Sequence, residues 1–252
     1  MFAKERQDII YKMVQKDGAV TTNTLIETFG VSIETVRRDL LYMERSGLLN
    51  RVHGGAVSVG DMKPFNVLKQ RNLENSNQKR EVAEKAVNFV QEGDIIGVDA
   101  GSTAVLLAEA LKSRYSKLTV VTYSSDVFEI LKDHADFSVI LCGGHYLKHE
   151  NAFYGPMTLN MLEGLHVQKA FICPSAISLE FGICDYQQEF YQIQRKMIEN
   201  SGCTYILADS SKFEKKALLK LDDMKPEYCY VTDDLLSEAL RKVYRENNIR
   251  IV

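Results

Sequence analysis

The chain has 252 residues, 45% hydrophobic and 26% charged, which suits a globular protein with room for one small and one large domain. No apolar run reaches the roughly 18 to 20 residues that span a bilayer, and the opening Met-Phe-Ala-Lys-Glu-Arg-Gln-Asp is too polar for a secretory signal. The net charge of −3 excludes a general polycation. Residues 1–57 hold eight Lys/Arg against seven Asp/Glu, and the remainder 23 against 27, so any contact with nucleic acid must rest on local placement of Arg37, Arg38, Arg45 and Arg51. The five cysteines (Cys142, Cys173, Cys184, Cys203 and Cys229) are odd in number, form no C-x-x-C pair and sit mostly in apolar runs. That pattern predicts buried free thiols in a reducing cytoplasm rather than a disulfide framework.

In chain order, Ile9, Ile10, Met13 and Val14 recur at helical spacing over residues 3–16, and Asp17-Gly18 ends that helix. Ala19-Val20-Thr21 predicts a short strand. Residues 22–31 read as a short helix and a tight turn. Ser32 suits the N-cap of the next helix, and Val36, Leu40 and Met43 at i, i+4 and i+7 bury one of its faces. Thr35, Arg37 and Arg38 lie off that stripe, in the N-terminal half of a helix placed as a recognition helix would be in a major groove. Gly47 is expected at C′. Leu48–Val52, the turn His53-Gly54-Gly55, and Ala56-Val57 read as strand, turn, strand. The whole predicts a winged helix-turn-helix.

The run Ser32-Ile33-Glu34-Thr35-Val36-Arg37-Arg38-Asp39-Leu40, with Leu48-Leu49 and Arg51-Val52-His53-Gly54-Gly55-Ala56, resembles the N-terminal signature of the DeoR family of bacterial transcription regulators, without a gap from about Arg6 to Val57. The resemblance implies that Ser32, Thr35, Arg37 and Arg38 face double-stranded operator DNA, with Arg51 and His53 in the wing near the backbone. Thr21, Thr22 and Glu34 complete the candidate DNA-binding set.

Periodicity fades over residues 58–76, where Gly60, Pro64 and the polar run from Gln70 to Asn77 predict a linker with a helical piece around Phe65 to Leu73. Beyond it, short apolar strands alternate with helices. Strands are expected at 95–98, 118–122, 137–142, 170–174, 204–208, 228–231 and 250–252, and helices at 78–90, 104–111, 127–132, 156–163, 188–200 and 235–246. That alternation predicts a mostly parallel sheet covered on both faces. The expected organisation is therefore a DNA-binding domain over 1–57, a linker over 58–76, and an α/β effector-sensing and oligomerisation domain over 77–252.

The most informative junction in the second domain is Asp99-Ala100-Gly101-Ser102-Thr103, between a strand and a helix. Gly101 permits a sharp turn, Ser102 and Thr103 offer hydroxyls, and the following N–H groups open a helix, an arrangement that suits an oxyanion. It is neither a Walker loop nor a dinucleotide fingerprint, so no cofactor is expected. Other strand ends, at Thr122-Tyr123-Ser124-Ser125, Gly143-Gly144 and Asp209-Ser210-Ser211-Lys212, suggest a crevice along one edge of the sheet. His145 and His149 stand four apart, but no third ligand is evident and no metal site is expected.

Residues 79–215 resemble the effector-sensing domain of the same family, itself similar in fold to ribose-5-phosphate isomerase. The matching pieces include Asp99 to Thr103, Cys142-Gly143-Gly144, Phe153 to Pro156, Lys196-Met197 and Ala208 to Phe213. The resemblance implies a phosphorylated sugar effector, with Gly101, Ser102 and Thr103 on the phosphate, Asp99 and Asp185 on the sugar, and Lys196 and Lys212 completing the pocket. Tyr123, Ser124, Gly143, Gly144 and Lys148 join that candidate set. The chain departs from the family pattern at Tyr123, where Asn is usual, and at Cys173-Pro174-Ser175-Ala176, where a Gly-rich run is usual.

The expectation is a non-enzymatic regulator, acting as a repressor of a sugar-metabolism operon, forming a homodimer or homotetramer with no membrane partner. The competing reading is a sugar-phosphate isomerase with an appended DNA module, using Glu189 or Asp99 as base and Lys196 as electrostatic partner.

Overall fold

The computed structural model describes residues 3–46, 48–52, 54–58 and 68–252. The expectations for Gly47 as a helix terminator, for His53 in the wing, and for Pro64 and Phe65 in the linker lie outside the described residues.

The N-terminal part contains α1 (Ala3–Asp17), β1 (Ala19–Thr21), α2 (Thr22–Phe29), α3 (Ile33–Arg45), β2 (Leu49–Val52) and β3 (Gly55–Ser58). The three strands form an antiparallel sheet in the order β1-β3-β2, with Ala19 opposite Val57 and Asn50 opposite Val57 on the other side. Thr21 caps α2 by accepting from the Thr24 N–H, and Ser32 caps α3 by accepting from the Thr35 N–H. Ile10, Val14, Leu25, Val36, Leu40, Met43 and Leu49 form one buried core, as the apolar spacing of α3 requires. Asp39 is a further buried residue that the sequence pattern does not reveal. It accepts from Arg6 Nε at 2.6 Å and from Gln7 Nε2 at 3.0 Å, and so clamps α1 to α3.

The second part begins with the short linker helix α4 (Leu68–Arg71) and continues with α5 (Ser76–Ala86), which runs into a 3₁₀ turn at Val87–Phe89. There follow β4 (Ile95–Val98), α6 (Ser102–Arg114), β5 (Leu118–Thr122), α7 (Ser125–Leu131), β6 (Phe137–Leu141), and the hairpin β7 (His145–Leu147) with β8 (Ala152–Tyr154). Next are α8 (Pro156–Glu163), β9 (Val167–Ile172), β10 (Ala176–Ser178), β11 (Gly182–Asp185), α9 (Gln188–Glu199), β12 (Ser201–Leu207), β13 (Leu219–Asp222), β14 (Cys229–Val231) and α10 (Glu238–Glu246).

Six strands make a parallel sheet in the order β14-β12-β9-β4-β5-β6. Side chains alternate across it: Ala170 and Ile172 enter the core beneath α8 and α9, whereas Phe171 enters the core beneath α5 and α6. This is the parallel sheet, covered on both faces, that the sequence predicts.

Three expectations are corrected. Residues 250–252 form no strand but a single bridge, Tyr230 to Ile251. The last helix starts at Glu238, because the Ser237 hydroxyl accepts from the Leu240 N–H and sets the cap there. Cys203 is exposed rather than buried, while Cys142 and Cys184 are buried and Cys173 and Cys229 are partly so. The hairpin β7–β8 and the small antiparallel sheet β10-β11-β13 are additions to the sequence reading. Among the described residues, no helix is long and apolar enough to cross a membrane.

The small sheet carries the winged part. Val57, with Ala19 and Val52, packs against Ala176, Cys184, Tyr186, Ala217 and Leu218. Beside this apolar seam runs a cavity of about 520 Å³, with Arg37, Glu44 and Arg51 on one wall and His149, Glu150, Gln187 and Gln188 on the other.

Asp39→Ala should destabilise the winged domain by about 3–5 kcal/mol, because it breaks the buried ion pair that Asp39 makes with Arg6. Urea unfolding of the full chain measures it; a loss below about 1 kcal/mol would contradict a buried clamp.

Candidate nucleic-acid interface and effector cavity

On α3, the face opposite the core presents Glu34, Arg37 and Arg38 to solvent, with Thr35 half-buried. Arg37 Nη1 donates to Glu34 Oε1 at 3.0 Å, an exposed pair that contributes little and is readily exchanged for a phosphate. Arg38 has no hydrogen-bond or ion-pair partner among the described residues. In the wing, Arg51 is exposed and its backbone N–H donates to Glu44 Oε1 at 2.9 Å, which ties β2 to α3. The Thr21 and Ser32 hydroxyls act as caps, so the sites next to them are the N-termini of α2 and α3, where N–H groups point outward. Thr22 lines the cavity beside the wing.

The second site sits where β4 ends. Gly101 takes φ +112°, a conformation side chains rarely adopt, and a Cβ there would meet only Arg71 Nη1 at 3.5 Å. Backbone conformation rather than crowding therefore calls for glycine. Gly101 offers no side-chain cap to α6, so the first N–H groups of that helix are left for another acceptor. Thr103 is buried, and its hydroxyl has no partner among the described residues.

Over this turn lies a cavity of about 130 Å³. Arg71, Glu74, Asn75 and Lys79 wall it from the linker and α5, Ser102 from α6, and Cys173, Ser175 and Ala176 from the loop after β9. Tyr186, Asp209, Ser211, Lys212 and Lys215 close it. Four cations thus face two carboxylates. Lys79 Nζ donates to the Arg71 carbonyl at 2.5 Å and the Glu74 carbonyl at 2.7 Å, and Lys212 Nζ donates to the Pro174 carbonyl at 2.7 Å. Burial, with Lys212 nearby, lowers the Lys79 pKa to about 8. Asp209 Oδ1 accepts from Asn75 and Ser211, but its Oδ2 is buried with no partner among the described residues. The wall therefore offers positive charge for an anion and one acceptor for a hydroxyl or amine.

Beneath the cavity is a buried polar network. Asp99 Oδ1 accepts from the Ala100 N–H and from the Tyr123 hydroxyl, and Oδ2 accepts from the Cys173 N–H at 2.8 Å and Gln194 Nε2 at 3.0 Å. Gln194 Nε2 also donates to Asp185 Oδ2 at 3.0 Å, while Asp185 Oδ1 accepts from Ser175 Oγ and from the N–H groups of Tyr186 and Gln187. Burial raises the Asp99 pKa against the pull of those four donors, and burial beside Asp99 holds Tyr123 well above the usual phenol range.

Two family models match the chain. The DeoR-like helix-turn-helix domain matches residues 6–61, and the DeoR C terminal sensor domain matches residues 74–234. The chain belongs to the DeoR family. It is a DNA-binding transcriptional regulator with a sensor domain. The "L-fucose operon activator" of Haemophilus influenzae is 33% identical over 98% of this chain and 98% of its own length. The "Lactose phosphotransferase system repressor" of Lactococcus lactis subsp. lactis is 34% identical over 85% of each chain. Among solved structures, ribose 5-phosphate isomerase A from Neisseria gonorrhoeae aligns at 21% identity over 60% of this chain and 56% of that chain, with a TM-score of 0.41.

Measured against this DeoR-type architecture, the sequence-derived effector set divides. Ser102 and Lys212 line the cavity, Gly101 and Thr103 belong to the turn below it, and Asp99, Asp185 and Tyr123 form the network supporting it. Asp99 and Asp185 spend their lone pairs on protein donors rather than facing the cavity. Five candidates lie elsewhere. Lys196 Nζ pairs with Glu199 at 2.8 Å on the outer side of α9, and Lys148 is exposed on the β7–β8 turn. The Ser124 hydroxyl caps α7. A Cβ on Gly144 would meet Thr158 Oγ1 at 2.3 Å, so that glycine serves close packing of α8, and Gly143 is held through its carbonyl by the same Thr158. His145 lies in β7 and His149 in the turn beyond, and among the described residues no group of three or more His, Cys, Asp or Glu could hold a metal. Arg71, Lys79 and Lys215 were missed. Lys79 carried a signal in retrospect, since it falls on the buried side of α5 with Val82, Ala83 and Ala86.

Tyr123→Phe removes one donor from a buried carboxylate and should cost about 1–3 kcal/mol of stability at neutral pH. The deficit should shrink in acid, where protonated Asp99 needs fewer donors, and thermal unfolding between about pH 5 and 8 reads it. A deficit independent of pH would place the tyrosine's role in packing alone.

Proposed function

We propose that the chain represses a sugar-metabolism operon and that a phosphorylated sugar or sugar derivative, seated in the 130 Å³ cavity, lowers its affinity for the operator. The observation that carries this reading is the convergence of Arg71, Lys79, Lys212 and Lys215 on the uncapped start of α6, with the unpartnered Asp209 Oδ2 beside them. The α6 N–H groups and the cations take the phosphate. Asp209 and Asn75 take hydroxyl or amino groups. The names of the fucose and lactose relatives support a sugar operon.

In this reading residues 1–57 read DNA, 58–76 link, and 77–252 sense and oligomerise. Thr21, Thr22, Ser32, Glu34, Thr35, Arg37, Arg38, Arg51 and His53 meet the duplex. A head with so little excess charge binds weakly alone, and a homodimer or homotetramer doubles its phosphate contacts. Catalysis is disfavoured because both candidate bases are occupied: Asp99 accepts four hydrogen bonds and Glu189 accepts from Gln187 Nε2 at 2.7 Å. Ribose 5-phosphate should not be turned over.

A gel-shift titration against the chain's own upstream DNA, repeated with a panel of sugar phosphates, tests the proposal. Release by at least one of them is expected; release by none, with DNA binding intact, refutes the sensing half. Arg38→Ala should weaken operator binding by about 1–3 kcal/mol, and unchanged affinity would remove that side chain from the groove.

The cavity also fixes a pH dependence. Lys79 loses its proton as pH rises through about 8, taking one positive charge from the site. A sugar phosphate, already dianionic above about pH 6, should therefore bind several-fold more weakly at about pH 9 than at about pH 7.5. Lys79→Gln should bind weakly throughout and lose that slope; calorimetric titration of both proteins checks it.

A further inference from the structure

The surface assigned to DNA already has a neighbour. One wall of the 520 Å³ cleft is made by Thr22 at the start of α2, Ile33 and Arg37 on α3, and Arg51 and Gly54 in the wing. A recognition helix reads the groove while the elements beside it reach the backbone, so these are the parts that meet a duplex together. The other wall belongs to the sensing domain: His149 on the β7–β8 turn, with Gln187 and Gln188 at the start of α9. The approach is close at the wing. A Cβ on Gly54 would stand 2.8 Å from Gln188 Oε1 and 3.8 Å from Gln188 Cβ. The wing cannot bend aside by itself, because the Gly54 carbonyl accepts from the Thr22 N–H at 2.7 Å and ties the turn to α2.

We propose that the sensing domain and the operator compete for this one face, so that the docked arrangement is a DNA-free state of the regulator. The proposal rests on the reading of α3 and the wing as the DNA-contacting surface, and it does not depend on what fills the effector cavity. Size decides the competition. A recognition helix enters a groove about 12 Å wide with a backbone on either side, and one helical turn of duplex is about 34 Å long. A cleft of 520 Å³ holds water and side chains but no duplex. Arg37 stays solvated there in its exposed pair with Glu34, so docking costs the reading residues little and leaves them ready for phosphate.

What holds the head down is a small apolar seam. Along β3, Ala56 enters the head's own core and Val57 faces the other way. Val57, with Ala19 and Val52, packs on Ala176, Cys184 and Leu218 of the sensing domain. Ala176 and Tyr186 line the effector cavity as well as this seam. Interfaces between domains of one chain resemble transient protein contacts, so such a seam opens without unfolding either side. The apparent affinity for the operator is then the intrinsic affinity scaled by the undocked fraction. Strengthening the seam weakens DNA binding, and loosening it does the reverse.

The test is a reversible lock in the full chain. Cβ atoms across a disulfide stand about 3.8 Å apart, and a Cβ on Gly54 would lie 3.8 Å from Gln188 Cβ. Gly54→Cys with Gln188→Cys, in a Cys203→Ser background that removes the exposed native thiol, is compared with itself oxidised and reduced. The strain of a side chain at φ +86° is common to both forms and cancels. Fluorescence anisotropy on the chain's own upstream DNA reads the outcome. The oxidised form should bind at least about ten-fold more weakly than the reduced form. Should the cysteine pair fail to fold, Phe181→Ser thins the seam from the sensing side and should tighten DNA binding at least about three-fold. Equal affinity of the oxidised and reduced forms, no bridge on oxidation of the folded protein, or unchanged affinity in folded Phe181→Ser overturns the competition. Arg38→Ala, made in the reduced protein, then separates the two readings: weaker binding keeps α3 as the reading helix, and unchanged binding overturns that reading as well.

Discussion

A single buried ammonium organises the sensing half of this molecule. Lys79, near the start of α5, donates to the carbonyls of Arg71 and Glu74 and so pins the end of the linker onto the α/β domain. It carries this contact at an electrostatic cost, since burial and Lys212 push its pKa down to about 8. That cost is offset when an anion enters the cavity Lys79 lines. The same contact hangs the Arg71 side chain over the Gly101 turn. The segment that physically connects the DNA-reading part to the sheet is therefore also one wall of the site that charge favours for a phosphate.

The rest of the site is built to hold that wall opposite the start of α6. Strand ends at β4, β5, β9 and β11 would splay without a tie, because each carries polar backbone groups that the sheet no longer satisfies. Asp99 and Asp185 supply the tie, bridged by Gln194 Nε2 and accepting N–H groups from residues 100, 173, 186 and 187. Their chemistry is structural. They shape the floor on which Ser102, Ser175 and Tyr186 line the cavity. The wing contributes from the other side: Val57 packs on the small sheet that begins at Ala176, so the head rests on the loop that closes the cavity.

Much of this was legible in the chain because it depends on local periodicity. Val36, Leu40 and Met43 at helical spacing, Ser32 at a cap, and Gly101-Ser102-Thr103 between an apolar strand and a helix each state their role within a few residues. What stayed hidden depends on distance along the chain. Arg71 and Glu150 are 79 residues apart, and Asn75 meets Ser211 across 136. No periodicity relates them, so Arg71 read as part of a polar linker and Asp209 as one polar strand end among several. Lys196 misled for a different reason. It lies two positions beyond Gln194, which points into the core, and on a helix that offset turns it toward solvent and Glu199. The strands β10, β11 and β13 are three or four residues long, too short for alternation to stand out.

The central claim is that an anion seats between the linker and the first turn of α6. A crystal structure of the full chain grown with inorganic phosphate tests it most directly. The account predicts phosphate bound by the N–H groups that follow Gly101 and by the side chains of Lys79 and Arg71. Phosphate bound elsewhere on the molecule, with none at the start of α6, would contradict it.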